Sequence, residues 1–175
     1  MDFTLRYTLP AAHALLPPVM QSVKADAHLL AIALQESDFA VRRQRGGGPA
    51  RSFLQFERGE VRIGRNTGGV AGILAHPRTR AHVLHALSVL QYPTAPTAEV
   101  LRICFEAVAH NDPLAFACGR LLLWTLPDRL PDRTEADAAW DQYLRAWNPG
   151  KPHPEKWERC FSAAWHAIDG EQHTS

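Results

Sequence analysis

Glu36 ends the apolar run Leu29-Leu30-Ala31-Ile32-Ala33-Leu34 after one intervening glutamine. On a helix, Leu29, Ile32 and Ala33 lie seven, four and three positions before Glu36 and share its face. A carboxyl on an apolar face is partly desolvated, which favours its neutral form and raises its pKa. Such an acid can protonate a glycosidic oxygen near neutral pH. Two further groups follow a Gly/Pro-rich break, Gln55 and Glu57, 19 and 21 positions on. On a strand, residues two apart point to one face, so Glu57 would stand beside Gln55 and offer a second carboxylate. Asp38 and Glu60 are the other acids close enough in sequence to compete for that part. Arg42, Arg43, Arg45 and Arg51 surround the break as a basic patch, which reads equally as a solvated loop or as a substrate clamp.

These groups need elements to hold them. Val19, Val23, Ala27, Leu30 and Leu34 recur every three or four positions, which predicts a helix from Pro17-Pro18 to about Ser37. Gly46-Gly47-Gly48-Pro49 then breaks the chain. No Gly-Lys-Ser/Thr and no following helix accompany those glycines, so they are not a phosphate loop. Residues 52–57 and 60–64 alternate polar with apolar around Arg58-Gly59, which predicts a small hairpin. The hairpin would form one wall of a cleft and the helix end bearing Glu36 the other. Residues 67–72 read as a flexible connection or a short helical turn lining that cleft.

Glu36-Ser37-Asp38-Phe39, followed at this spacing by Pro49-Ala50-Arg51-Ser52-Phe53-Leu54-Gln55, resembles the catalytic motif of the lysozyme-like superfamily. The resemblance is closest to the lytic transglycosylase and goose-type lysozyme branch. There Glu-Ser-x-Phe ends a helix, and Gly-Ala-x-Gly-Leu-Met-Gln follows a variable turn. Pro49 and Ser52 depart from the family's glycines, and Phe53-Leu54 from its Leu-Met. The string is also similar to phage- and prophage-encoded members. The resemblance covers about 25 residues of the chain.

It implies a mainly α, α+β lysozyme-like fold, with a helical domain and a small β-hairpin beside the active-site cleft. It implies cleavage of peptidoglycan at the MurNAc-GlcNAc β-1,4 bond, with Glu36 as general acid and then base and no cofactor. Gln55 would hold the substrate or the glutamate by hydrogen bonds, Ser37 would tie down the helix end, and Arg51 and Ser52 would touch substrate. Partners would be glycan strands and phage structural or lysis proteins. With Glu57 as second carboxylate the same site would be a hydrolytic muramidase. A catalytically weak module of a phage particle is the reading from a different class.

Bulk properties narrow the field. A chain of 175 residues fits one domain with a substantial core. A net charge of +1 gives no broad basic field for nucleic acid or anionic lipid. No helix-turn-helix signal is present to support a DNA-associated regulator. The three cysteines, Cys104, Cys118 and Cys160, fall on apolar helix faces and read as buried free thiols. Nothing in their spacing, or in that of the nine histidines, resembles a metal site. The opening MDFTLRYTLPAAHALLPPVM lacks a cationic start and a long apolar run, so no signal peptide and no membrane insertion are expected. Action on the wall would then be periplasmic or virion-associated after synthesis in the cytoplasm.

The opening nine residues read as an irregular lead-in or a short strand, with a helical turn at 10–16. After residue 76 the pattern is helical throughout. Segments at about 78–91, 96–110, 112–125, 134–147 and from Pro154 carry helix-spaced apolar residues. The 112–125 segment is nearly all apolar and should be central. Its expected cap is Asp112, with Thr134 and Asp137 as a capping box for the next helix. Trp140, Trp147, Trp157 and Trp165 keep helical register with other apolar positions, which assigns them to the core rather than to sugar binding.

Overall fold

The computed structural model describes residues 1–60, 68–94 and 97–172. Among them lie eight α-helices: α1 (Leu9–His13), α2 (Val23–Ser37), α3 (Gly69–Ala75), α4 (Arg80–Val89), α5 (Thr97–Ala107), α6 (Asp112–Trp124), α7 (Ala136–Trp147) and α8 (Pro154–Gln172). The mainly helical expectation holds. The lead-in is helical too: a wide turn over Thr4–Thr8 runs directly into α1.

Every residue of α6 from Leu114 to Leu123 is buried. Around it pack α1, α2, α3, α4 and α7, so the 112–125 segment is central, as its composition predicts. Its start is one residue earlier than expected: the Asn111 side chain, not Asp112, accepts from the Leu114 N–H at 3.0 Å. Asp112 is engaged elsewhere, taking a bidentate pair from Arg42. Arg120 is buried within α6, donates to the Met20 carbonyl at 2.6 Å, and lies 4.7 Å over the Trp124 ring. That bond ties α6 to the chain just ahead of α2.

The helix bearing Glu36 starts later than the apolar stripe predicts. Pro18–Met20 forms a single tight turn, the chain extends at Gln21 and Ser22, and α2 begins at Val23. Ser22 Oγ caps it by accepting from Ala25 N at 3.2 Å. The break resets the helical register, so Met20 is buried while Val19 is 73% exposed and Val23 is 44% exposed. From Ala27 to Ala33 every residue is buried, because α8 lies along one side of α2 and α6 along another.

The hairpin is the main correction. Among the described residues there is no strand, only isolated bridges Arg43–Arg51 and Arg51–Phe56. Residues 51–56 form a closed turn: Arg51 N donates to Phe56 O at 2.8 Å and Phe56 N to Arg51 O at 2.7 Å. Ser52 and Gln55 take positive φ, 63° and 48°, which no strand allows. Burial does alternate along the turn, though not wholly by residue type, since polar Ser52 is buried and apolar Phe53 is not. Ser52, Leu54 and Phe56 are buried, while Phe53, Gln55 and Glu57 are not. A turn can bury alternate side chains as a strand does. Most of the second expected strand, at 60–64, lies outside the described residues.

One other local expectation fails. The N-cap position of α7 is Glu135, with no side-chain cap bond, and Thr134 takes no part. Glu135 instead accepts from Asp132 N at 2.7 Å and pairs with Arg129. Cys104, Cys118 and Cys160 are all buried and free, as their placement on apolar faces predicts. No described helix is long and apolar enough to cross a membrane.

Candidate active site

The end of α2 explains the residues Glu36-Ser37-Asp38-Phe39 one by one. Asp38 leaves the helix in the left-handed region (φ 50°), its N–H still bonded to Leu34 O, and Phe39 follows at φ 55°. Two successive left-handed residues turn the chain sharply and lay the half-buried Phe39 against the core. Its ring lies 5.3 Å from Phe53 and 6.5 Å from Phe116, stacked on the latter. Ser37 Oγ lies 3.0 Å from Ala33 O and 2.8 Å from Phe53 O. The serine thus ties the helix end to the 51–56 turn, the part the resemblance gave it. Lys156 of α8 donates to Gln35 O at 3.2 Å and lies 3.4 Å from Asp38 Oδ2, closing the negative end of the helix.

Glu36 faces α7. Tyr143 Oη donates to Glu36 Oε1 at 2.5 Å. One turn on, Trp147 Nε1 donates to Leu54 O at 2.8 Å, so α7 holds both the carboxylate and the turn. Burial raises the Glu36 pKa above its ordinary value, and the charge of Glu57 pushes the same way. The Tyr143 hydrogen bond, Lys156 and His153 oppose that rise without cancelling it. Burial first, then the Glu36 charge and hydrogen bond, keep the Tyr143 phenol protonated. Because Oε1 is taken by the phenol, Oε2 is the oxygen that carries the proton whenever Glu36 is neutral.

Glu36 opens into a cleft of about 720 Å³. Its walls come from three places: the end of α2 and the following loop (Ser37, Gln44), the turn (Gln55, Glu57), and the exit of α7 (Trp147 to Lys151). The volume is in the range of sites that enclose a ligand of several rings. Gly69 closes the floor at the start of α3. Its φ is 55° and a Cβ there would lie 2.3 Å from Glu57 O, so no side chain fits. Val70 N and Ala71 N donate to Glu57 O and Arg58 O, anchoring the backbone beneath the second carboxylate.

The sequence-based assignments separate into two groups. Glu36, Ser37, Gln55 and Glu57 all line the cleft. Gln55 Nε2 is turned back to Ser52 O at 2.7 Å and Val41 O at 3.5 Å, which stiffens the turn. Ser52 and Arg51 are not among the lining residues. Ser52 is fully buried and its Oγ accepts from Leu54 N at 3.2 Å. The Arg51 guanidinium donates to Pro49 O at 2.8 Å, to Gly48 O and Ala50 O at 3.2 Å, and lies over Phe105. Both residues shape the turn. The basic patch disperses likewise, since Arg42 is committed to Asp112 and to the Phe53 ring.

Tyr143 and Trp147 are the site residues that sequence reasoning missed. They are four apart on an amphipathic helix, and Tyr143 is 2% exposed. A phenol on a buried stripe must find an acceptor, and that was the available signal. Trp147 is half-buried, with Phe56 at 5.7 Å and Tyr143 at 6.3 Å. It does line the cleft, unlike the core role its register implied, whereas Trp157 and Trp165 are buried as expected.

No protein-family model matches the chain, and neither a curated protein nor a solved structure does.

Proposed function

We propose that this protein cleaves peptidoglycan glycan strands at the MurNAc-GlcNAc β-1,4 bond by lytic transglycosylase-like chemistry. The observation that carries the reading is the Glu36–Tyr143 pair: one desolvated carboxyl with a fixed phenol donor, opening into an oligosaccharide-sized cleft. Protonated Glu36 gives its Oε2 proton to the glycosidic oxygen, and the C1–O bond breaks to an oxocarbenium-like centre. The carboxylate so formed is steadied by the Tyr143 hydroxyl. It then takes the proton from the sugar's own 6-hydroxyl, whose oxygen bonds C1 and gives a 1,6-anhydro end. Trp147 offers an aromatic face for a sugar ring, and Gln55 a hydrogen-bonding group.

One observation favours a second reading. Glu57 is exposed, lines the same cleft, and acts electrostatically on Glu36. As general base it would take a proton from water, which then bonds C1 and leaves a reducing end. Mass analysis of digests of purified walls separates the two, since anhydro and reducing ends differ by one water. Glu36→Gln should abolish cleavage, by about a hundredfold or more, under either reading. Glu57→Gln should retain anhydro products at modestly reduced rate if the transglycosylase reading holds. A folded but dead Glu57→Gln protein, with only reducing ends from the wild type, would replace it with a muramidase. A Glu36→Gln protein that still digests walls would remove both.

A further inference from the structure

We infer that Lys151 is a subsite for a carboxylate carried on the substrate's sugar, so that the cleft selects glycan bearing an acidic 3-O substituent over neutral glycan. The inference rests on the glycan reading above. Among the described lining residues, Lys151 is the one cation, against the carboxyls of Glu36, Asp38 and Glu57. The chain has three lysines, and the other two are engaged. Lys24 lies 2.7 Å from Asp132 and Lys156 lies 3.4 Å from Asp38. Lys151 is exposed and has no carboxylate partner among the described residues.

Its position follows from how α7 ends. Asn148 takes the left-handed conformation (φ 48°), with its N–H on Leu144 O, and Pro149-Gly150 carries the chain past the cleft mouth. Trp147 and Lys151 therefore belong to one wall, four residues apart. A sugar laid against Trp147 would present its substituent along that wall. Asp38 and Glu57 repel an anionic substrate at long range, and a single unpaired ammonium fixes where its negative group can settle. The carboxylate has two sources in peptidoglycan: the lactyl ether itself, once the stem peptide is removed, or the acidic residues of an intact stem peptide.

The test uses three glycan oligomers of equal length: with the stem peptide, stripped to the lactyl carboxylate, and stripped with that carboxylate amidated. kcat/KM is measured for wild type, Lys151→Gln and Lys151→Arg, and binding is measured calorimetrically in the Glu36→Gln background. Lys151→Gln should lower the preference for an acidic oligomer over the neutral one by about fivefold, the scale of a solvent-facing ion pair. The change should lie in KM, shrink in high salt, and be restored by Lys151→Arg. Whichever acidic oligomer loses its advantage identifies the source. An unchanged preference in a protein that cleaves all three overturns the Lys151 assignment and leaves the glycosidase reading intact. Lys151-dependent binding without cleavage by wild type has the opposite effect. Absence of both binding and cleavage overturns the two together.

Discussion

His28 provides a test of how α2 is held against α7. The ring is 1% exposed, and its Nε2 lies 3.0 Å from Ala139 O. The neutral ring must therefore donate from Nε2, which leaves Nδ1 buried without a partner. Trp157 stands edge-on with its ring centre 6.0 Å away, offering no acceptor. Burial, opposed by the Ala139 bond and assisted by the Arg120 charge, pushes the His28 pKa from 6.5 down to about 4. The sign follows from which form the fold prefers. The unfolded chain takes up the proton first as pH falls, so stability is complete above about 6.5 and declines down to about 4. At about 1.36 kcal/mol per unit, the loss is about 3 kcal/mol. That is a large fraction of the 5–15 kcal/mol roughly expected for a domain. The comparison is urea unfolding of wild type and His28→Gln at several pH values from 7.5 to 4. Glutamine can still donate to Ala139 but does not titrate. The carboxylates and His13 contribute to both proteins and cancel in the difference. Wild type should lose about 3 kcal/mol more than the variant across that window. Parallel stability curves would refute the burial argument. His28 and Ala139 precede Glu36 and Tyr143 by eight and four residues, so the two bonds join the same pair of helices.

Three further outcomes follow from the site. Tyr143→Phe removes the donor that favours ionised Glu36, so the alkaline limb of kcat/KM should move to higher pH; a limb that stays or moves lower would remove the phenol from the mechanism. Glu36→Gln should be more stable than wild type at pH 7 and equal to it below the ordinary carboxyl range, because a raised pKa means that ionising Glu36 costs the native state; equal melting temperatures at pH 7 would contradict the burial of the charge. Gly69→Ala should lose at least about 2 kcal/mol, from the positive φ and the overlap with Glu57 O, and an unchanged urea midpoint would show that the start of α3 can shift freely.

Much of the helical frame was legible because apolar residues recur at helical spacing from Val83 to Ile168, and because Pro154 marks a start. Glu36 was legible for the same reason: a carboxyl at the end of a wholly apolar run has a predictable environment. The alternation matched burial at residues 54–57, with Leu54 and Phe56 buried and Gln55 and Glu57 not, but failed at Ser52 and Phe53. It did not determine the backbone, since a closed turn with two left-handed residues buries the same set. The start of α2 was misplaced because Pro18-Val19-Met20 suits either a helix start or an isolated tight turn, and only burial of Met20 and the Arg120 hydrogen bond to its carbonyl decide. The partners of Glu36 were invisible for a different reason. Tyr143 lies 107 residues away, and no local pattern records which helix ends meet. Sequence set the chemistry available at Glu36. Tertiary structure alone chose the phenol that holds it, the tryptophan beside it, and the lysine left free at the mouth.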